Sequence, residues 1–434
     1  MEFIDYQLEN REQFWEELDG ILTQQIHSAS LIEAAVRTFL RFVGKHMDQF
    51  LAADEDLAQC GLRFIGSPVF VKHRGQVRRR LITKMVGGEC DARTLLMIGV
   101  VLLLDGRQHV DTFEMMEEES ACRLMVDVLW RTRETDPRLH SIMLELVYEL
   151  CRVQRLQRAD LEAISTDFIE FLFQTIERND DYERDPYSYG LIRVLLVLNE
   201  QYMLSGQGSG HDRIRVRIPN KVVGTLRLRG GHYRAFGSNI IILLNREREV
   251  CVQLLILKML YQLFTTPETY EYFYTNDLRV LIDVFVRELH DLSDEAETLK
   301  HTYLRVFYPL LAHTQLRHSH YKQYELVKLF RQLEGRGRSQ HFRPVSETTA
   351  RLVTRCMHVP WLQAAAARSE LPSPDLLAPD MALANTSTLS LPSSATVTEN
   401  LTGASRTVPV KTLTTTLPEV DTLPNGNGVE LISA

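Results

Sequence analysis

Three histidines fall within eight residues in the run HTQLRHSHYK: His313, His318 and His320. With His301 a few helical turns earlier, they are the chain's most obvious potential metal ligands. A metal site needs ligands converging from separate segments, with carboxylates or carbonyls orienting the imidazoles from behind. No acidic residue stands among these histidines, so the pattern reads as a solvated helix end facing its own C-terminal dipole. The run EMMEEES places four carboxylates between Glu114 and Ser120. Crowded together at an expected helix start, they suit the N-terminal dipole better than a shared substrate. The nucleophile elbow GxSxG, HExxH, the P-loop and a GxGxxG loop after a strand do not occur. The reading is a protein that is not an enzyme and takes no metal or cofactor.

The basic residues pose a different question. Lys72, His73, Arg74, Arg78, Arg79, Arg80 and Lys84 crowd VKHRGQVRRRLITK. Two readings stay open: an anionic partner, or a solvated loop and helix start whose arginines pair with carboxylates. Between residues 205 and 238, Ile214, Val216 and Ile218 alternate with Arg213, Arg215 and Arg217, and Leu226 and Leu228 alternate with Arg227 and Arg229. Period-two alternation on both sides of Pro219–Gly224 predicts either a hairpin with one arginine-lined face or a mobile basic insertion. In DLRVLIDVFVREL, Leu278, Leu281, Phe285 and Leu289 share one helix face, while Arg279, Asp283 and Arg287 repeat every four residues on another.

Helices must position these groups. Asp136 and Pro137 open one, as N-cap and first-turn proline, and Ser30 with Glu33 forms a capping box opening LIEAAVRTFLRFVGKHMDQFL. Further helices are expected at 91–104, 119–132, 161–177, 187–204, 239–264, 267–274, 277–290, 295–316, 320–333 and 346–358. VCVQLLILKMLYQLF is apolar nearly all round, interrupted by Gln253, Lys258 and Gln262, so it should be a central buried helix. Pro309 lacks the N–H owed to Arg305 and should kink its helix.

At 434 residues the chain exceeds the roughly 250–300 residues at which one compact core stops growing. Helix after helix with short joints therefore predicts an all-α, armadillo/HEAT-like α-solenoid over residues 1–362 with degenerate units. A net charge of -8 argues against nucleic acid as a partner. Cys60, Cys90, Cys122, Cys151, Cys251 and Cys356 show no ligand or disulfide spacing and read as reduced thiols. The start MEFIDYQLENREQFWEEL is acidic and amphipathic rather than a secretory signal, and no apolar run spans a bilayer. A soluble cytoplasmic protein is expected, with membrane contact at most peripheral. Residues 363–434, rich in Ser, Thr, Leu and Pro, should form a disordered tail. Its prolines never fall three apart, so SH3 partners of the PxxP kind are not expected.

FGSNIIILLNRE, LLILKMLYQLFTTPETYEYFYTNDLRVLIDVFVREL and HTYLRVFYPLL resemble the WISH/DIP/SPIN family, in its fungal low-dye-binding actin-patch branch. The close match covers about 195–333. The resemblance implies an armadillo-like domain that activates the actin-related protein 2/3 (Arp2/3) complex without a preformed filament, seeding unbranched actin filaments at endocytic cortical patches. Activators that deliver monomers end in an acidic segment bearing a tryptophan. Here the last tryptophan, Trp361, sits in MHVPWLQAAAA, and the sequence ends in VELISA. Activation would then come from a folded surface. Periodicity makes Asn276, Arg279, Arg287, Lys300, His301 and Arg305 exposed, and the resemblance makes them the expected contacts. The rival readings are an adaptor for a small GTPase or other protein, and binding of anionic lipid or nucleic acid through the basic segments.

Overall fold

The computed structural model describes residues 8–23, 29–88, 90–132, 135–178, 186–206, 218–293, 295–335 and 346–369. Among them every regular element is helical. Side chains fix several of the starts. Asn10 accepts from the Gln13 N–H to open α1 (Arg11–Leu22), and α2 (Ala29–Phe50) follows, starting one residue ahead of Ser30. The acidic first turn of α3 (Asp54–Gly66) suits its dipole. Ser67 caps α4 (Pro68–Val86), which breaks helical geometry at His73 (φ -126°, ψ 30°). Asp91 caps α5 (Ala92–Gln108). Then come α6 (Asp111–Glu118) and α7 (Ala121–Arg131). Asp136 and Pro137 open α8 (Pro137–Val153) in the expected way.

The segment expected as one helix at 161–177 is two, α9 (Arg158–Ala163) and α10 (Thr166–Arg178). After α11 (Pro186–Ser205), Asn220 accepts from the N–H groups of Val222 and Val223 and opens α12 (Lys221–Arg229). The helix expected at 239–264 is also two, α13 (Arg234–Arg246) and α14 (Val250–Thr265). Neither proline nor glycine causes that break. The Glu247 carboxylate turns back to accept the Arg248 and Glu249 N–H groups, both at 2.8 Å, and takes the Tyr189 hydroxyl at 3.0 Å. The backbone carbonyl of Glu247 accepts from Gln253 at 2.7 Å. A 3₁₀ turn (Pro267–Thr269) replaces the helix expected at 267–274. The remaining helices are α15 (Thr275–Asp291), α16 (Glu297–His313), α17 (Leu316–Ser319), α18 (Gln323–Leu333), α19 (Glu347–Met357) and α20 (Pro360–Ser369). Helix α16 runs on through the buried Pro309.

The packing order makes the solenoid. Helices α5, α8, α11, α14, α16 and α19 each lie against the next, forming one continuous column. Helix α14 is buried on nearly every side, as its sequence predicts. Around the column, α7 covers α8, α10 covers α11, α15 bridges α13 and α16, and α18 lies on α19 and α20. Polar clasps join neighbours in the column. Arg107 of α5 binds Glu145 (2.7 Å) and Glu149 (3.0 Å) of α8. Arg193 of α11 pairs with Glu145, and Lys258 of α14 with Glu200 of α11. At the far end Trp361 donates to the Leu311 carbonyl at 3.2 Å and stacks on His320, so this tryptophan belongs to the core.

Three further expectations need adjustment. Residues 218–238 form α12, a 3₁₀ turn and the start of α13, with neither hairpin nor basic loop. Glu114 lies in the first turn of α6 as the dipole reading expects, but Glu117 and Glu118 lie at its C-terminal end and Glu119 in the joint before α7. The helical region continues to Ser369, past the boundary at 362; residues 370–434 lie outside the described residues.

Candidate partner-binding ridge

Helix α15 buries Leu278, Leu281, Ile282, Phe285 and Leu289 on one face. Phe285 meets Tyr303 and Phe307 edge-on at 4.9 and 5.2 Å, which fixes the rotation of α15 against α16. That rotation turns Asn276, Arg279, Asp283 and Arg287 outward, spaced three or four apart as one ridge, with Val280 beside Arg279. The expected exposure of Asn276, Arg279 and Arg287 therefore holds. Their partners differ from the expected ion-paired row. Asp283 accepts from the Tyr321 hydroxyl at 3.2 Å and pairs with Lys322 at 3.2 Å. Arg279 lies over the Tyr321 ring, 5.5 Å from its centroid. Arg287 reaches the Asn245 side chain at 2.7 Å and Glu288 at 2.6 Å.

Local pattern gives no hint of Tyr321 and Lys322. They reach the ridge because His320 and Lys322 adopt left-handed backbone (φ 49° and 51°), turning the chain between α17 and α18. Both are non-glycine residues where that conformation is uncommon, so tertiary contacts hold the turn. Exposed Val280 adds an apolar surface on the ridge, Tyr274 stands just before α15, and Tyr324 opens α18.

The α16 residues behave differently. Lys300, His301 and Arg305 are each half-buried. His301 hydrogen-bonds the hydroxyls of Thr349 (2.9 Å) and Ser346 (3.3 Å) at the start of α19. Burial, with Arg305 and Lys300 nearby, holds its imidazole below the ordinary histidine range. His301 thus joins α16 to α19. Of the six expected contact residues, Asn276, Arg279 and Arg287 share the α15 ridge, while Lys300, His301 and Arg305 are half-buried on α16.

Of the other basic groups Arg78 is an internal strut, while Arg79, Arg80, Arg227 and Arg229 are exposed and stand near carboxylates. Arg78 is buried and forks onto Asp105 at 2.6 and 3.2 Å, with Thr112 completing the site. Arg79 and Arg80 lie 3.6 and 3.5 Å from Glu119 and Glu33. Arg229 pairs with Glu170 at 2.5 Å, Arg227 stands 3.9 Å from Glu268, and Arg213, Arg215 and Arg217 lie outside the described residues. Among the histidines, His313 bonds the Phe264 carbonyl at 2.8 Å and stacks on Tyr270. His318 contacts Arg317.

The most distinctive phrases of the sequence meet at one joint. A side chain on Gly237 would stand 2.9 Å from the Tyr272 ring, so FGSN and YEYFYTN pack only with glycine there. Tyr272 donates its hydroxyl to the Tyr233 carbonyl, and Arg234 binds the Tyr272 carbonyl. Residues 184–326 match the family described as SPIN90/Ldb17, leucine-rich domain. The chain is 32% identical to the protein dip1 of Schizosaccharomyces pombe over 379 residues, covering 84% of this chain and 97% of dip1. It belongs to the SPIN90/Ldb17 family. LDB17 of Saccharomyces cerevisiae is 24% identical over 404 residues, covering 81% of this chain and 80% of LDB17. A designed armadillo repeat protein superposes with a TM-score of 0.35 at 10% identity, over 65% of this chain and 98% of that one. That superposition is too loose to argue from; the solenoid rests on the packing order itself. Among the described residues no helix is long and apolar enough to cross a membrane.

Proposed function

We propose that this protein is a noncatalytic activator of the Arp2/3 complex, promoting unbranched actin filaments without a preformed filament at endocytic cortical patches. Membership of the SPIN90/Ldb17 family carries the reading, since the WISH/DIP/SPIN resemblance implies this activity for the chain. The α15 ridge lies inside the matched segment and supplies a rigid, mixed-charge docking face through Asn276, Arg279 and Arg287. Activation works through surface binding that favours the active arrangement of the complex, a shift of population by differential affinity. Against a basic-patch reading, Arg78 is buried and already held by Asp105. Pyrene-actin assembly with purified Arp2/3 complex, without seeds or monomer-delivering activators, tests the proposal. Acceleration is expected, and its absence at saturating protein overturns it.

A further inference from the structure

A cleft of about 640 Å³ opens between α7, α9 and α10, ahead of the segment that matches the family. Leu124, Trp130, Ile164 and Phe168 give it an apolar wall, and Glu119 and Asp127 stand at its edge. These two carboxylates already hold Arg79 and Arg131, at 3.6 and 2.7 Å. Asp160 in the wall differs. It is 3% exposed, and its Oδ2 has no hydrogen-bond partner. Ser120 hydrogen-bonds the same carboxyl and Arg123 stands nearby, yet burial outweighs both and raises it above the ordinary aspartate range. Ser120 itself is held in left-handed backbone at φ 52°. A buried carboxylate oxygen without a donor is costly, and a cation or N–H donor entering the cleft relieves that cost. The matching ligand is a segment with apolar side chains and a basic group at close spacing.

We propose that the occupant is the chain's own segment ASRTVPVKTL, residues 404–413. Beyond Ser369 the only cations are Arg406 and Lys411, and residues 400–418 contain no acid. The rest of that stretch carries seven carboxylates, from Glu370 to Glu430, and no cation. Val408, Val410 and Leu413 supply the apolar contacts. From Ser369 to Arg406 the chain can span at most about 120–130 Å, and covalent attachment raises the effective concentration of a weak ligand. Ser405 and Thr407 flank Arg406, so phosphate on either would face the cleft's carboxylates and release the segment.

Hydrogen exchange on the full chain tests this. The amides of 404–413 and of α7 are expected to exchange slowly in the wild type. Both should speed up in R406E/K411E, by roughly fivefold for each ion pair removed. Asp127→Lys, an exposed rim change that leaves the core intact, should release 404–413 in the same way. Asp160→Asn should weaken docking, and Ser405→Glu with Thr407→Glu should reproduce the release. Unprotected 404–413 amides in the wild type overturn the proposal. So does α7 protection that R406E/K411E leaves unchanged, or protection that rises with protein concentration, which would mean a second copy.

Discussion

Replacing Lys258 with methionine probes the column most directly. Lys258 and Glu200 are 3% exposed each and bind one another across α14 and α11. Methionine keeps the volume and the apolar stem, so packing changes little. What changes is charge: the variant takes the ammonium away from a buried carboxylate. Breaking one side of a buried pair costs about 3–5 kcal/mol. E200Q/K258M should recover most of the loss, because a buried amide needs hydrogen bonds but no counter-charge. Urea denaturation followed by far-UV circular dichroism gives both differences. A K258M loss under about 1 kcal/mol, or a loss that E200Q/K258M does not recover, refutes the reasoning.

Burial pushes the His140 imidazole down to about 4. Its Nε2 faces the Leu129 carbonyl at 3.1 Å and must carry the proton, leaving Nδ1 to accept from Tyr187 at 2.9 Å. The folded value lies below the unfolded one, so its contribution is complete above about pH 6.5 and is lost as pH falls towards 4. About 2 kcal/mol should be gone at pH 5, and urea midpoints should show a flatter pH profile for His140→Gln than for wild type. Gly237→Ala drives a methyl into the Tyr272 ring and should cost about 1–3 kcal/mol in the same assay. R279E/R287E should leave the unfolding free energy within about 1 kcal/mol, because both residues are exposed. It should also slow Arp2/3-dependent pyrene-actin assembly at least about tenfold; unchanged assembly would remove the ridge from the proposed interface. Burial lifts the Cys60 and Cys356 thiols to about 12, so iodoacetamide at pH 8 should label them only after denaturation.

Local chemistry was legible where one side chain decides the outcome. Asp136 with Pro137 opens α8, and the apolar stripe of α15 faces inward, because a cap and a helical period are encoded within a few residues. The insertion shows how period-two alternation misleads. Leu226 and Leu228 would share one face of a strand, but on α12 they sit roughly 200° apart. Leu226 is buried, and Leu228 is 78% exposed. The deciding signal was Asn220, which caps α12 and also reaches Asn199 at 2.7 Å, a partner that no local window contains. Glu247 is a similar case, since its carboxylate stops α13 with no helix breaker in the sequence. Lys258 interrupts an apolar helix for a partner 58 residues away.

The α15 ridge depends on those same long-range contacts. Exposure of Arg279 follows from helical period, but its direction follows from Tyr321, delivered by a left-handed turn 38 or more residues downstream. Asp283 and Lys322 then hold the ridge before any partner arrives. Side chains fixed in this way lose little entropy on binding, whereas each freely rotating one costs about 0.5–1.5 kcal/mol. Tyr321 therefore acts on the ridge by positioning. Tyr321→Ala should weaken Arp2/3 activation by freeing Arg279 and removing one of the two contacts on Asp283, while leaving both charges in place. Equal losses in Tyr321→Ala and R279E/R287E would show that orientation of the ridge matters as much as its charge. A loss confined to the charge reversal would show that the ridge is attractive but not preorganised.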